Sequence, residues 1–123
     1  MRLLPDTHAI MWWAEDSPRL SAKAKALMND GDNPLLFSAV VSWEISTKQA
    51  TGKLGVVQDF ALVEESGVDK LDITHEHAVA SAVLPLHHRD PFDRLLIAQA
   101  QLEDAVIVTA DRRFADYDVR TVW

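Results

Sequence analysis

Short apolar runs alternate along the chain with longer stretches in which apolar residues recur at helical spacing. The apolar runs predict strands at 2–5, 35–38, 71–73, 105–109 and 120–122. The other stretches predict helices at 7–14, 21–28, 41–50, 56–66, 76–83 and 91–103. Strands that alternate with helices are typical of a parallel α/β domain. We therefore expect a single α/β/α layered domain over residues 1–123.

Two of the predicted strands constrain the sheet. The run at 105–109 is continuously apolar and rich in β-branched residues, which predicts a strand buried on both faces. The first run ends in Pro5, which has no N–H to donate to a neighbouring strand. We expect Pro5 at the end of its strand or at an unpaired position.

The composition narrows the class of protein. The chain has 123 residues, of which 48% are hydrophobic, a share typical of a folded domain. It has no cysteine, which excludes a disulfide scaffold, thiol catalysis and a cysteine zinc site. The first apolar run ends at Asp6, too early for a signal peptide or a membrane span. The expected protein is soluble and cytoplasmic, with no membrane partner.

Four carboxylates fall near the carboxyl ends of the predicted strands, where open α/β sheets bind their ligands. Asp6 directly follows the first strand, and Asp111 comes two residues after the strand at 105–109. Glu44 and Asp93 lie in the early turns of two predicted helices. If the strands are parallel, these four acids converge on one edge of the sheet.

Such a cluster suits a hard divalent cation, because Mg²⁺ and Mn²⁺ prefer oxygen ligands. A metal ion held there can polarise a scissile phosphate and lower the pKa of an attacking water. Without metal, neighbouring carboxylates cannot all remain ionised, so some of their pKa values should rise. We expect metal binding to release protons and activity to fall at acid pH.

Each acid also has a purely structural interpretation. Asp93 is the third residue of a helix whose N-cap would be Asp90, and an acid there stabilises the helix dipole. Glu44 has a lysine four residues later with which it can pair on the surface. Asp111 can cap the turn that it begins. Asp6 is the hardest to explain in this way, because an acid that ends a buried strand needs a partner.

Four segments, in order along the chain, resemble motifs of the PIN-domain family. They are LLPDTHA at 3–9, SWEI at 42–45 with Lys48, HRDPFDRLLIAQA at 88–100, and VIVTAD at 106–111. The third segment is the most specific and is similar to a subgroup of VapC-like toxins, the toxin half of VapBC toxin–antitoxin pairs. The likeness extends to the final Val-Trp and departs from the family at Pro5, where an aliphatic residue is usual.

The resemblance implies a PIN-like α/β/α sandwich around a central parallel sheet of four to five strands. It also implies a Mg²⁺- or Mn²⁺-dependent ribonuclease, a type II toxin that cleaves single-stranded or loop regions of RNA and is neutralised by a cognate VapB-like antitoxin. By motif, the catalytic acids would be Asp6, Glu44, Asp93 and Asp111. Asp6 and Asp93 would be the main metal ligands, assisted by the hydroxyls of Thr7 and Thr109.

The net charge of −7 is an argument against this function, because proteins that bind nucleic acid usually carry a basic surface. The argument weakens if the acids are concentrated in one pocket that holds cations. Charge and Pro5 leave open a catalytically weak or inactive PIN-fold module that binds RNA or protein. A phosphotransferase or phosphatase acting on small molecules is a third interpretation, although the chain has no Gly-rich phosphate loop.

Histidines and aromatic residues give weaker signals. His75 and His77 are two residues apart, which on a helix points their side chains to different faces and does not favour a metal site. The apolar helix faces, expected mostly in the core, carry Trp12, Trp13, Phe60 and Leu62. Exposed apolar surface marks partner contacts, and we expect a homodimer that binds an amphipathic antitoxin segment in an apolar groove.

Overall fold

The computed structural model describes residues 1–53 and 63–123. The strands in this part of the chain are β1 Leu3–Pro5, β2 Leu36–Ser38, β3 Asp69–Leu71, β4 Val106–Val108 and β5 Thr121–Val122. The helices are α1 Thr7–Ala14, α2 Ala22–Asn29, α3 Ala39–Ala50, α4 His75–Ala82 and α5 Pro91–Leu102, with a short 3-10 helix at Arg112–Asp116. The predicted α/β fold with parallel strands is confirmed.

The strands form two parallel sheets within the described residues. One sheet has the order β1-β4-β5, and the other pairs β2 with β3. A single parallel bridge between Leu3 and Leu35 joins β1 to the chain just before β2. The expected single sheet of four to five strands is therefore not confirmed, since the largest sheet has three strands.

Pro5 accounts for the place where the two sheets separate. The N–H of Leu3 donates to the carbonyl of Pro34 at 2.9 Å, on the β2 side of β1. The nitrogen of Pro5, two residues later, faces the same side but carries no proton, so this ladder stops. On the β4 side, the N–H of Asp6 donates to the carbonyl of Val108 at 3.0 Å. Pro5 ends its strand, as predicted.

Helix α5 lies at the centre of the packing and positions one of the site acids. Seven consecutive residues of this helix, from Arg94 to Ala100, are buried. The helix packs against α3, α4 and β4, so no side of its middle turns faces solvent. Full burial of a large aliphatic side chain stabilises a fold by roughly 1.5–3 kcal/mol. Core burial therefore fixes the direction in which the N-terminus of α5 points.

Two elements begin two residues earlier than the sequence predicts. Strand β3 lies two residues earlier than expected and has exposed side chains at Asp69 and Lys70, so no apolar pattern marks it. It pairs through its backbone, beginning with the N–H of Asp69 and the carbonyl of Leu35 at 2.8 Å. Helix α3 begins two residues early because the hydroxyl of Ser38 caps it by accepting the N–H of Val40 at 3.0 Å.

Other expectations concern residues that the structure does not describe. Most of the helix predicted at 56–66 lies outside the described residues, as do Phe60 and Leu62. Trp12 and Trp13 are half-buried and pack against the core. Among the described helices, none has the length and apolar character needed to cross a membrane.

Candidate active site

One cavity of about 130 Å³ is lined by carboxylates from four distant parts of the chain. The acids that line it are Asp6, Glu44, Asp90, Asp93 and Asp111. The structure thus brings together all four acids singled out from the sequence and adds Asp90. Their catalytic role stays a prediction, but their meeting is a property of the fold.

Asp6 joins the end of β1 to the start of α1. As the N-cap of α1, its Oδ1 accepts the N–H of Ala9 at 2.9 Å. Its Oδ2 accepts the hydroxyl of Thr109 at 2.5 Å, and the same hydroxyl oxygen accepts the N–H of Asp111 at 3.0 Å. Burial raises the pKa of Asp6, although the bonds from Thr109 and Ala9 oppose the rise. Thr109 therefore connects two of the site acids.

Glu44 lies on the buried side of α3 and is held by two partners. The hydroxyl of Thr7 donates to its Oε1, and Nζ of Lys48 lies 2.6 Å from its Oε2. The hydrogen bond to Glu44 raises the pKa of Lys48 above its ordinary value. The side chain of Glu44 is only 10% exposed. The pair of Glu44 and Lys48 therefore belongs to the cavity and not to a solvated helix face.

Asp93 is an acid of the cavity whose pKa is strongly raised. It lies in the first turn of α5, whose N-cap is Asp90. Burial, and after it the negative charges of Asp90, Glu44 and Asp111 in that order, together raise the pKa of Asp93 to about 7. About half of the protein would carry a proton on this carboxyl at neutral pH. A cation placed among these acids would remove that proton.

Asp111 follows β4 and begins the 3-10 helix as its N-cap. Its Oδ1 accepts the backbone N–H of Arg113 at 2.9 Å, and Nη2 of Arg113 lies 2.7 Å from its Oδ2. The hydrogen bond from the Arg113 side chain lowers the pKa of Asp111 below its usual value. The pKa of Asp111 is thus lowered, whereas the pKa values of Asp6 and Asp93 are raised.

A buried arginine and a tyrosine hold the loop that leads into α5. Arg94 donates to the carbonyls of Leu84 at 2.9 Å and Pro85 at 2.8 Å. The hydroxyl of Tyr117 accepts the backbone N–H of His88 at 3.1 Å. These bonds fix the backbone just before Asp90, so they position the acids at the start of α5.

The ring of His88 lies behind Asp93. Its Nε2 is 3.9 Å from Oδ2 of Asp93, and the ring meets Phe114 and Tyr117 edge-on. Among the described residues, neither ring nitrogen of His88 has a hydrogen-bond partner. His77, one of the two histidines whose spacing does not favour a metal site, is buried, and its Nδ1 accepts the N–H of Thr74 at 3.0 Å as part of a helix cap.

Five carboxylates face two cations in this cavity. Lys48 and Arg113 also line it, and each pairs with one acid. Within residues 1–53 and 63–123, no three acidic or histidine side chains are already arranged to hold a metal ion. The oxygen donors are of the type that Mg²⁺ and Mn²⁺ prefer, so the set fits such an ion in chemistry. Asp6, Glu44 and Asp111 would have to exchange their present partners for a metal ion.

Sequence reasoning missed several residues of the cavity. Lys48 was interpreted as a surface partner, Asp90 as a helix cap only, and Trp12 as core. His8 and Arg113 were given no role beyond their positions near acids. The spacing already indicates that Lys48 and Glu44 share a helix face, but only the structure shows that this face lines the cavity.

Comparison with known proteins identifies the family. A sequence model described as the PIN domain matches residues 3–120. The chain belongs to the PIN domain family. Comparison with curated protein sequences gave no match.

The chain also resembles chains of solved toxin–antitoxin complexes. It aligns with a chain of VapBC2 from Rickettsia felis bound to a promoter DNA fragment, with a TM-score of 0.71, 15% identity and coverage of 99% of this chain and 98% of that one. A chain of DNA-bound VapBC from Salmonella typhimurium aligns with a TM-score of 0.70 and 14% identity, and the alignment covers 99% of this chain and 97% of that one. A chain of FitAcB from Neisseria gonorrhoeae aligns with a TM-score of 0.65 and 16% identity, and the alignment covers 98% of this chain and 96% of that one. At such identities the likeness shows a shared fold.

Proposed function

We propose that this PIN domain is the toxin of a type II toxin–antitoxin system and acts as a Mg²⁺- or Mn²⁺-dependent endoribonuclease. Its substrates would be single-stranded or loop regions of RNA, and a cognate VapB-like antitoxin would neutralise it. The observation that carries the proposal is the convergence of five carboxylates in one cavity, with the pKa of Asp93 raised to about 7. Structural neighbours that are VapBC and FitAB complexes support the toxin assignment.

The charge distribution weakens the main argument against a nuclease. The net charge is −7, but five of the acids are concentrated in the cavity. A divalent cation there offsets part of this local charge and lets a phosphate approach. The overall acidity of the chain is therefore compatible with a polyanionic substrate.

Asp6 and Asp93 are the proposed main metal ligands, with Glu44 and Asp111 as supporting or water-mediated ones. A divalent ion in this position supplies Lewis-acid stabilisation of the scissile phosphate. Thr109 fixes the orientation of Asp6 by donating to it, and Thr7 does the same for Glu44. Because each hydroxyl already donates to one carboxylate oxygen, only part of each carboxylate remains available to bind a ligand.

The cations of the cavity have a proposed role once the acids bind metal. Arg113 has a side chain that is 60% exposed and pairs with Asp111. Lys48 is paired with Glu44 and is 37% exposed. With a divalent ion held by the carboxylates, both cations would be available to contact the phosphate oxygens of the substrate. An ionised carboxylate orients the attacking water and accepts its proton as the phosphodiester bond breaks.

The second candidate is a catalytically weak or inactive PIN-fold module that binds RNA or protein. Its support is that Asp6, Glu44 and Asp111 are bonded to protein partners. The acids within the described residues also form no ready metal cluster. Calorimetry separates the two candidates, because the module predicts no heat of binding with millimolar Mn²⁺. The nuclease predicts a binding isotherm and proton release.

The nuclease proposal is tested with Asp6→Asn and Asp93→Asn. Both variants should lose cleavage of single-stranded RNA and toxicity in cells while keeping the native circular dichroism spectrum. Asp32→Asn is the matched control, because Asp32 is an exposed acid that does not line the cavity. Cleavage by all variants at the wild-type rate would point to a contaminating nuclease and sink the proposal.

A further inference from the structure

Two stacked rings form one wall of the acidic cavity. His8 and Trp12 lie one helical turn apart on α1, and both line the cavity beside Asp6. Their ring centroids are 5.3 Å apart with an interplanar angle of 12°. Trp12 is in turn held by the edge of Trp123, with centroids 5.9 Å apart. The stack is therefore fixed at its inner end.

The outer end of this stack is open. His8 is exposed, whereas Trp12 is half-buried. Because Trp12 stacks on one face of the imidazole ring, a ligand would stack on the other face of this exposed residue. A flat aromatic face beside a site for phosphate chemistry is the kind of surface on which proteins stack unpaired bases.

We propose that the His8–Trp12 stack binds a nucleobase of single-stranded RNA next to the phosphate held at the acidic cavity. This inference rests on the proposed ribonuclease function and adds a base-binding subsite to it. A flat base continues a parallel stack of rings, which an aliphatic protein side chain does not do. Paired bases are covered by their neighbours on both faces, so the subsite would select unpaired nucleotides.

The energetics give the expected size of the effect. Stacking of one base on an aromatic side chain changes affinity by about tenfold to hundredfold. The contribution depends on the ring and not on the charge of the imidazole. Substitution of His8 by phenylalanine should therefore keep it, and substitution by alanine should remove it.

The test compares two probes that carry the same phosphates. One is a fluorescein-labelled oligomer of 2′-O-methyl adenosine, and the other is an abasic sugar-phosphate oligomer of equal length. Their affinities for wild-type protein, His8→Ala and His8→Phe are measured by fluorescence anisotropy with Mg²⁺ present. Trp43→Ala is the matched control, because Trp43 is an exposed aromatic residue (49%) that does not line the cavity.

Wild type and His8→Phe should bind the adenosine oligomer about tenfold more tightly than the abasic one, and His8→Ala should bind both alike. Trp43→Ala should keep the wild-type preference. Equal binding of the two oligomers by wild type, or an equal loss of both in His8→Ala, would overturn the subsite. Loss of the preference only in Trp43→Ala would do the same. Mn²⁺-dependent RNA cleavage by wild type is measured separately, so a missing base preference with intact cleavage rejects the subsite alone.

Discussion

Asp93 occupies a helix position that favours a negative charge, yet its surroundings disfavour one. The first turn of α5 stabilises a carboxylate through the helix dipole. Burial and three neighbouring acids nevertheless raise the pKa of Asp93 to about 7 from its ordinary 3.8. Between pH 3.8 and about 7, the folded protein therefore keeps a proton on Asp93 that the unfolded chain has already released. By linkage, this group's contribution to stability is fully present below pH 3.8 and is lost as pH rises through 7.

The first prediction is that Asp93→Asn stabilises the metal-free protein at neutral and alkaline pH. An amide has no charge to bury, so the free energy of unfolding at pH 8 should rise by up to about 4 kcal/mol. The gain should be smaller at pH 5, where the wild-type carboxyl is mostly protonated. Urea unfolding in the presence of a chelator measures both values.

Two further measurements make this result specific to the cavity. Asp32→Asn, which changes an exposed acid outside it, should shift stability by no more than about 0.5 kcal/mol at either pH. Added Mn²⁺ should stabilise the wild type and leave Asp93→Asn unchanged. A variant that is no more stable than wild type at pH 8 would show that Asp93 does not bear this electrostatic cost.

At the level of elements, the structural and functional interpretations of the acids prove compatible. Asp6, Asp90 and Asp111 are the N-caps of α1, α5 and the 3-10 helix, and all three line the cavity. An N-cap lies where the chain enters a helix, and in this fold three such entries meet at one place. The same residue can therefore end the preceding segment, cap a helix and present a carboxylate oxygen.

The next prediction separates the cap of α5 from its charge. Oδ1 of Asp90 accepts the N–H groups of Phe92 at 2.9 Å and Asp93 at 3.2 Å. Asp90→Asn and Asp90→Ala both relieve repulsion on Asp93, but only the asparagine keeps a capping oxygen. Asp90→Ala should therefore unfold with a free energy about 1 kcal/mol lower than Asp90→Asn, as measured by urea denaturation.

A second helix calibrates this difference. Ser21 caps α2 by accepting the N–H of Ala24 at 3.0 Å, and Ser21 does not line the cavity. Comparison of Ser21→Asn with Ser21→Ala should give a difference of similar size. If the two Asp90 variants are equally stable while the Ser21 pair differs, the cap of α5 is not needed for its stability.

Predictability differed between elements for physical reasons. Buried elements such as β4 and α5 are marked in the sequence by apolar residues, and their positions were predicted within two residues. The edge strand β3 was displaced because only its backbone pairs, and backbone groups leave no mark in the sequence. The division into two sheets was not predicted either. The sequence predicted that Pro5 ends its strand. It did not predict which neighbour of β1 would lose a hydrogen bond at Pro5, because that depends on the tertiary arrangement.

For the whole molecule, the order of the motifs was sufficient to predict that the acids meet. Parallel strands end at a common edge, so acids that follow them lie close together whatever the loops do. The partners of these acids were less accessible. Arg113 could have been left without a partner, and only the structure shows it paired with Asp111. The role of Arg94 was also not predictable from the sequence, because its guanidinium donates to backbone carbonyls of the loop that precedes α5.

The homodimer expected from the sequence stays a prediction, and the structure offers a face for it. Val79 and Val83 are one helical turn apart at the end of α4, and Leu86 follows. They are 54%, 80% and 76% exposed, while α4 packs on α5. Apolar side chains this exposed are commonly covered by a partner. We expect a dimer of twice the 13.7 kDa chain mass in light scattering at micromolar concentration.

The face is tested by Val79→Ser combined with Val83→Ser. Because both side chains already contact water, the variant should keep its stability and elute as a monomer. Leu102→Ser, at a residue that is 50% exposed on α5, should remain a dimer. A wild-type protein that is monomeric at this concentration contradicts the dimer itself. A double variant that stays dimeric leaves the dimer standing and moves its interface away from α4.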